Sequence, residues 1–384
     1  MWSTYVFLGT ACLFLFWALS VLWHLRWVRR LPPESEPPAG DGGARRARCS
    51  VVMAARNEEA RIEKSLRHLF AQRDVELEII VVDDRSTDGT REILRRLAKE
   101  DSRLQVKPVD ALPEGWLGKC HACHIGAGAT TGEWILFTDA DCWLKPDTIV
   151  RALRAADREG VDHVTLTSGL EGSGSLKASH LLFLISLANW FSGVNRDRPK
   201  SFLGIGAFNL VRAEAYGQCG GYEALRLTVV DDVKLGLLLR RAGKRTRAFV
   251  GADDAECHWG RTAWSMVKLM EKNYFAAVDY RLEVAFGGTL FVLILFTIMI
   301  LGLFSGTGPG LVALCSPLGL ILPGYVLCRR IGWSGGPALY VPFMLPLFLF
   351  TLLNSTFRTL WQGGVRWRDT FYPLKVLRAG NIRP

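Results

Sequence analysis

The chain has 384 residues, 49% hydrophobic and 22% charged, with 47 basic against 37 acidic side chains and a net charge of +10. That excess suits nucleic acid or an anionic membrane surface. Three uncharged runs, Met1–Trp23, Val284–Cys328 and Ile331–Phe357, decide for the membrane, because roughly 20 apolar residues cross a bilayer. A nucleic-acid partner is not expected, and a simple soluble domain is excluded.

Residues 1–30 read as an N-terminal transmembrane anchor. A secretory signal opens with a basic n-region, and none precedes this run. The run ends in His24-Leu25-Arg26-Trp27-Val28-Arg29-Arg30, followed by Arg45, Arg46 and Arg48. Positive charge stays cytoplasmic, so the next domain is expected on the cytoplasmic side of the cell (inner) membrane. Nine cysteines in such a reducing compartment do not suggest a disulfide framework. Residues 31–48, rich in Pro, Gly and charge, read as a linker.

From residue 49 strands alternate with helices. Cys49–Ala54, Leu77–Val82, Leu104–Val106, Glu133–Thr138 and His163–Thr167 read as strands. Glu58–Phe70, Asp88–Ala98, Cys120–Thr131 and Pro146–Arg158 read as helices, the first with Ile62, Leu66, Leu69 and Phe70 on one face. This alternation predicts an α/β fold with a parallel sheet covered on both faces, and ligands then bind at the carboxyl ends of the strands. Leu176–Phe191 and the basic, aromatic Trp264–Tyr280 are predicted as further helices. The second suits either the headgroup plane or a packed core.

The chemistry-bearing residues follow strand ends. Ala54-Ala55-Arg56-Asn57-Glu58 leaves the first strand, and a turn there lets backbone N–H groups meet a nucleotide. Val81-Val82-Asp83-Asp84-Arg85-Ser86-Thr87-Asp88-Gly89-Thr90 leaves the second. Ser86–Asp88 suits a helix cap, which does not account for Asp83 and Asp84 together. Gly115-Trp116-Leu117-Gly118-Lys119 puts a lysine at a helix start, in reach of a diphosphate. Phe137-Thr138-Asp139-Ala140-Asp141 ends an apolar run in two carboxylates one residue apart. Oxygen-only ligands of this kind suit Mg²⁺ or Mn²⁺ together with substrate phosphates.

In this order the motifs resemble the family-2 glycosyltransferases over about residues 49–260. The resemblance implies a GT-A, Rossmann-like domain with a parallel-rich mixed sheet, a nucleotide-sugar donor such as a UDP-sugar, and metal-dependent, inverting transfer. By that resemblance Ala54, Arg56, Glu58, Asp84, Lys119 and Asp139 would bind the nucleotide sugar, with Asp84 on the base and Asp139 on the ribose. Asp141, with Asp139, would hold the metal. It also implies a Glu-Asp pair on the acceptor side. Thr228-Val229-Val230-Asp231-Asp232 fits that place, with Asp232 as base and Asp231 replacing the usual Glu.

Two departures stand out. Where related membrane enzymes carry Gln/Arg-x-x-Arg-Trp, this chain has Glu271-Lys272-Asn273-Tyr274, and His124 replaces a frequent Asn. His258 and Arg261 are candidates to supply charge to the diphosphate. Cys120-His121-Ala122-Cys123-His124 spells a c-type haem attachment pattern, and Cys120, Cys123 and Cys142 are conceivable zinc ligands. The haem reading conflicts with the surrounding transferase signature and the expected cytoplasmic side, and the zinc reading lacks a paired second Cys-x-x-Cys.

Residues 261–286 are expected to form an interfacial helix, 287–357 three or four membrane segments counted with the anchor, and 358–384 a basic cytoplasmic tail. A full span over Pro337–Phe357 would leave Arg358, Arg366, Arg368, Lys375, Arg378 and Arg383 outside, against the charge rule; Pro342 and Pro346 permit a re-entrant course. Trp361-Gln362-Gly363-Gly364-Val365-Arg366-Trp367-Arg368 is similar to a tail of hopanoid-associated family-2 transferases, and carotenoid and ceramide glycosyltransferases share much of this plan. Each implies a lipid acceptor. A processive polysaccharide synthase and a non-catalytic membrane scaffold are the alternatives; the degenerate 271–274 segment disfavours the first, and the intact Asp84, Asp139, Asp141 and Asp232 the second.

Overall fold

The computed structural model describes residues 2–33 and 47–384. Residues 34–46 of the predicted linker, with Arg45 and Arg46, lie outside them. The chain divides into two compact units. One comprises Val28–Glu171, Gly193–His258 and Gly380–Pro384; the other comprises Met1–Trp27, Gly172–Ser192 and Trp259–Ala379, in each case their described parts.

The first unit is built on one sheet. Its strands are β1 (Arg29–Arg30), β2 (Arg48–Ala55), β3 (Glu76–Asp84), β4 (Leu104–Val109), β5 (Trp134–Phe137), β6 (Cys142–Leu144), β7 (His163–Leu170), β8 (Asn209–Arg212) and β9 (Thr246–Cys257). Their spatial order is β1-β9-β7-β8-β5-β2-β3-β4, with β6 paired to β9. β2 pairs in parallel with β3 and β5, and β3 with β4. Ile79, Ile80, Val81 and Val82 of β3 are all fully buried, as expected of strands covered on both faces.

This is the GT-A-like mixed sheet, and besides the short antiparallel β6–β9 pair it departs from an all-parallel reading at β8. β8 runs antiparallel to both β5 and β7. It enters the sheet at the end where β7 leaves it, so the right-handed crossover that would make it parallel is absent. The helices sit close to their predicted ranges. Ile62–Phe70 presents Ile62, Leu66 and Leu69 to the core, and Thr148–Glu159 ends at Gly160 in the left-handed conformation.

Two expectations are corrected here. Cys142 and Cys257 form a disulfide. They are directly opposed on the antiparallel β6–β9 pair, with Cα atoms 4.4 Å apart, a proximity invisible across 115 residues of sequence. Zinc ligation through Cys142 is thereby excluded. Cys120 and Cys123 are buried inside the Gly118–Gly128 helix, and burial pushes both thiols up, away from the thiolate form that metals need. Buried there, neither is accessible for haem attachment.

In the second unit, four helical stretches are long and apolar enough to cross a membrane, by length and composition: Trp2–Leu25, Leu282–Phe304, Gly308–Ile331 and Gly336–Trp361. Phe286, Leu290, Phe291, Ile300, Leu301 and Phe304 on one of them are exposed. Apolar surface so continuous suits lipid, not water, and the protein is membrane-associated. The predicted Trp264–Tyr280 helix is two short pieces, Ala263–Met270 and Tyr274–Ala277.

Arg151 ties the first unit's edge together. Its guanidinium bonds Asp254 at 2.5 Å and the carbonyl oxygens of Leu31 and Pro32 at 2.8 and 2.7 Å. Arg151→Met would leave the buried Asp254 carboxylate without its cation. We expect a loss of about 3 kcal/mol, read as a lowered thermal midpoint of the purified protein.

Candidate active site

The loops after β2 and β3 close on each other. Asn57 and Arg85 both adopt positive φ, 55° and 59°. The Asn57 N–H donates to Ser86 Oγ, and its side-chain oxygen accepts from Thr87 N–H at 2.8 Å. The Glu58 N–H donates to Thr90 Oγ1 at 2.8 Å. Much of the Asn57 and Ser86–Thr90 signature is therefore spent on joining two turns. The predicted helix cap is also revised: only Asp88 reaches the first turn, accepting from Thr90 N–H at 3.0 Å.

Asp83 and Asp84 divide their roles. Asp83 is fully buried and paired with Arg91 at 2.6 Å. Asp84 faces Gly118, where a Cβ would overlap its carboxylate. Arg85 grips Asp84 with two bonds of 2.7 and 3.1 Å, and Arg56 lies 3.9 Å away. Trp116 lies beside His121 and His124, ring centroids 5.4 and 5.0 Å apart. Ala54 sits at the carboxyl end of β2, opposite Val82.

Asp139 and Asp141 follow β5. Their carboxylates and Cys142 lie within 4.8 Å of one another. With the Cys142 sulfur in a disulfide, the available donors are oxygen only, which fits a hard divalent cation. Asp141 is pushed up to about 7 by burial, then by Asp139 and Glu58, against the pull of Arg61. A carboxyl group under that stress favours a compensating cation. The His258 backbone N–H donates to the Asp141 carbonyl at 3.2 Å.

Lys119 links the acids after β5 with those at 231–232. Its ammonium lies 2.7 Å from Asp139 and 3.5 Å from Asp231. Burial opposes its charge, but Asp139, Asp231 and Asp232 outweigh that and hold its pKa well above the ordinary value. Asp231 also accepts from the Tyr222 hydroxyl at 3.0 Å. Asp232 accepts from Gly206 N–H at 2.8 Å and from Val233 N–H at 2.9 Å. Burial, then Asp231, raise Asp232 to about 6.

One segment was not singled out from sequence: Gly204-Ile205-Gly206. The Asp139 N–H donates to the Gly206 carbonyl at 3.1 Å, while the Gly206 N–H holds Asp232. A Cβ at position 206 would lie 2.6 Å from Asp139 Oδ2 and 3.4 Å from Asp232 Oδ2. The two glycines one residue apart were the available signal. The segment thus brings Asp139 and Asp232 to either side of a single residue, Gly206. The Glu271–Tyr274 segment belongs to the other unit. There Glu271 pairs with Arg358 at 2.7 Å, and Lys272 lies 3.9 Å from the Trp367 ring centroid.

Residues 50–220 match the family described as Glycosyl transferase family 2. Among curated proteins, 4,4'-diaponeurosporenoate glycosyltransferase of Staphylococcus haemolyticus is 27% identical over 53% of this chain and 54% of its own length. Beta-monoglucosyldiacylglycerol synthase of a Nostoc species is 31% identical over 48% of this chain and 40% of its own. The chain thus spans about half the length of the curated relatives it matches. Among solved structures, the mannosyltransferase PcManGT of Pyrobaculum calidifontis, in complex with GDP-Man and Mn²⁺, superposes with a TM-score of 0.59 at 17% identity, covering 94% of this chain and 97% of that one. That likeness establishes the fold.

Lys119→Met removes the cation shared by the acidic groups. Asp232 has a native pKa raised above its unfolded value, so its stabilising contribution is full below the unfolded pKa and is lost as pH rises through about 6. The variant's deficit in thermal midpoint is therefore expected to be largest above pH 6 and to shrink on acidification. A deficit independent of pH would contradict this charge balance.

Proposed function

The chain carries a Glycosyl transferase family 2 domain over residues 50–220, and from that premise we propose that it transfers a sugar from a nucleotide-sugar donor to a lipid hydroxyl at the cytoplasmic face of the cell membrane, with inversion. The observation that carries the proposal is the convergence of Asp139 and Asp232 on Gly206, with Asp141 beside Asp139. The lipid acceptor draws support from the names of the two curated relatives and from the four apolar helices.

In this reading residues 49–260 form the catalytic domain. Asp84, beside Arg85 and Arg56, receives the nucleobase edge, and Ala54, Arg56 and Glu58 line the donor. Asp139 takes the ribose. A Mg²⁺ or Mn²⁺ held by Asp139 and Asp141 supplies positive charge to the diphosphate when bound. Lys119, already 2.7 Å from Asp139, adds a second positive charge on the same side. The donor is a UDP-sugar in our reading, and the acidic pair at 231–232 faces the acceptor.

Asp232 is the general base. A carboxylate raised to about 6 is ionised at neutral pH yet more basic than an ordinary one, which suits proton removal from a weakly acidic alcohol. It takes the lipid hydroxyl's proton as that oxygen bonds to the anomeric carbon. The bond from that carbon to the diphosphate oxygen breaks on the opposite face, so configuration inverts. Asp231, held by Tyr222 and near Lys119, keeps the field around the base negative.

Asp232→Asn should abolish transfer while leaving folding and membrane insertion intact, and full activity would remove that residue from the role. With the native enzyme, turnover should fall about tenfold per pH unit below about 6 as Asp232 is protonated. Chelation of divalent cations should stop transfer. Mass spectrometry of lipid extracts from cells with and without the protein should reveal a lipid heavier by one sugar; a long polymer would instead favour a processive synthase.

A further inference from the structure

Behind the acidic groups lies a buried polar chain with no part in the steps above. His163 on β7 and Asn209 on β8 are 0% and 1% exposed. The Ile205 N–H donates to Asn209 Oδ1 at 3.2 Å. A backbone amide only donates, so this contact fixes which end of the Asn209 carboxamide is oxygen. Its nitrogen then donates to the Asp232 carbonyl at 3.4 Å.

His163 Nε2 lies 2.9 Å from the same Asn209 Oδ1, so that ring nitrogen carries the hydrogen. Nδ1 faces Thr246 Oγ1 at 3.1 Å and accepts its hydroxyl hydrogen. Thr246 is the register partner of His163 on β9. The assignment requires a neutral ring, and burial pulls the His163 pKa down to about 4. The Asn209 carboxamide and the neutral His163 ring then each have one orientation consistent with these contacts.

The far end of the chain is the site. A Cβ at residue 204 would overlap the Asp232 carbonyl oxygen and lie 3.1 Å from Asn209 Oδ1, so the loop lies directly on both. Its next N–H, from Gly206, holds the Asp232 carboxylate. We propose that His163, acting through Asn209, is a positioning residue: it locks the Gly204–Gly206 loop and the Asp232 main chain, and so sets the direction in which the Asp232 carboxylate faces the acceptor. This rests on the reading of Asp232 as the base.

The test uses the full chain in detergent or liposomes. His163→Leu removes the donor to Asn209, His163→Gln keeps an N–H at that end, and Thr246→Val is a milder change should the leucine variant fail to fold. Hydrogen exchange of peptides covering 203–209 and 230–233 is measured beside sugar transfer from UDP-glucose and GDP-mannose, with Mn²⁺ and diacylglycerol liposomes. For His163→Leu we expect faster exchange confined to those peptides and a fall in kcat on the order of 10–100-fold, with donor KM changed less than about twofold on the same misalignment argument. His163→Gln should restore most of both, and Thr246→Val should give the same signs at smaller size. Unchanged exchange, exchange raised throughout the domain, or glutamine as damaging as leucine would overturn the proposal. A wild-type protein inert with both donors would count against the transferase reading alone, because the exchange measurement still decides whether His163 orders the loop.

Discussion

Concentrated negative charge at the end of β5 is the constraint on which the site depends. Asp139, Asp141, Asp231 and Asp232 come from two places in the chain, and water does not screen them well where they meet. Two of them, Asp141 and Asp232, are pushed up to about 7 and about 6, first by burial and then by their acidic neighbours. One lysine and one backbone N–H offset this. Lys119 reaches Asp139 and Asp231, and the Gly206 N–H donates to the Asp232 carboxylate. A cluster in this condition favours a compensating cation.

The fold serves that cluster through its antiparallel β8. In a sheet parallel throughout, each strand end would deliver one loop to the site. The antiparallel β8 instead starts where the parallel strands finish, so the segment before it, Gly204–Gly206, arrives at the same end of the sheet as Asp139. Glycine is required there because backbone packs against carboxylate and carbonyl with no room for a Cβ. The same arrangement puts Asn209, the first residue of β8, against the Asp232 main chain.

Much of this was legible beforehand, for identifiable reasons. The strands β2, β3 and β5 are near-continuous apolar runs, the last two leading into acids, and such runs have few alternatives in a chain this long. The motifs at their ends were local. What escaped notice was non-local. Asp83 and Asp84 look equivalent in sequence, yet one is consumed by Arg91 and the other faces Gly118. The Asn57 and Thr87 pairing joins turns thirty residues apart. Cys142 and Cys257 become neighbours only because β6 and β9 are antiparallel in that register.

Local periodicity and motif spacing by themselves determined the alternating α/β order, the apolar spans and the identity of the acidic candidates, since each depends on residues adjacent in the chain. Only the tertiary structure decided that β8 runs antiparallel, that Gly206 stands between Asp139 and Asp232, and that His163 and Asn209 lie behind them. Those relations depend on hydrogen bonds and steric fit between segments brought together by the sheet, and no local pattern encodes a distance across it.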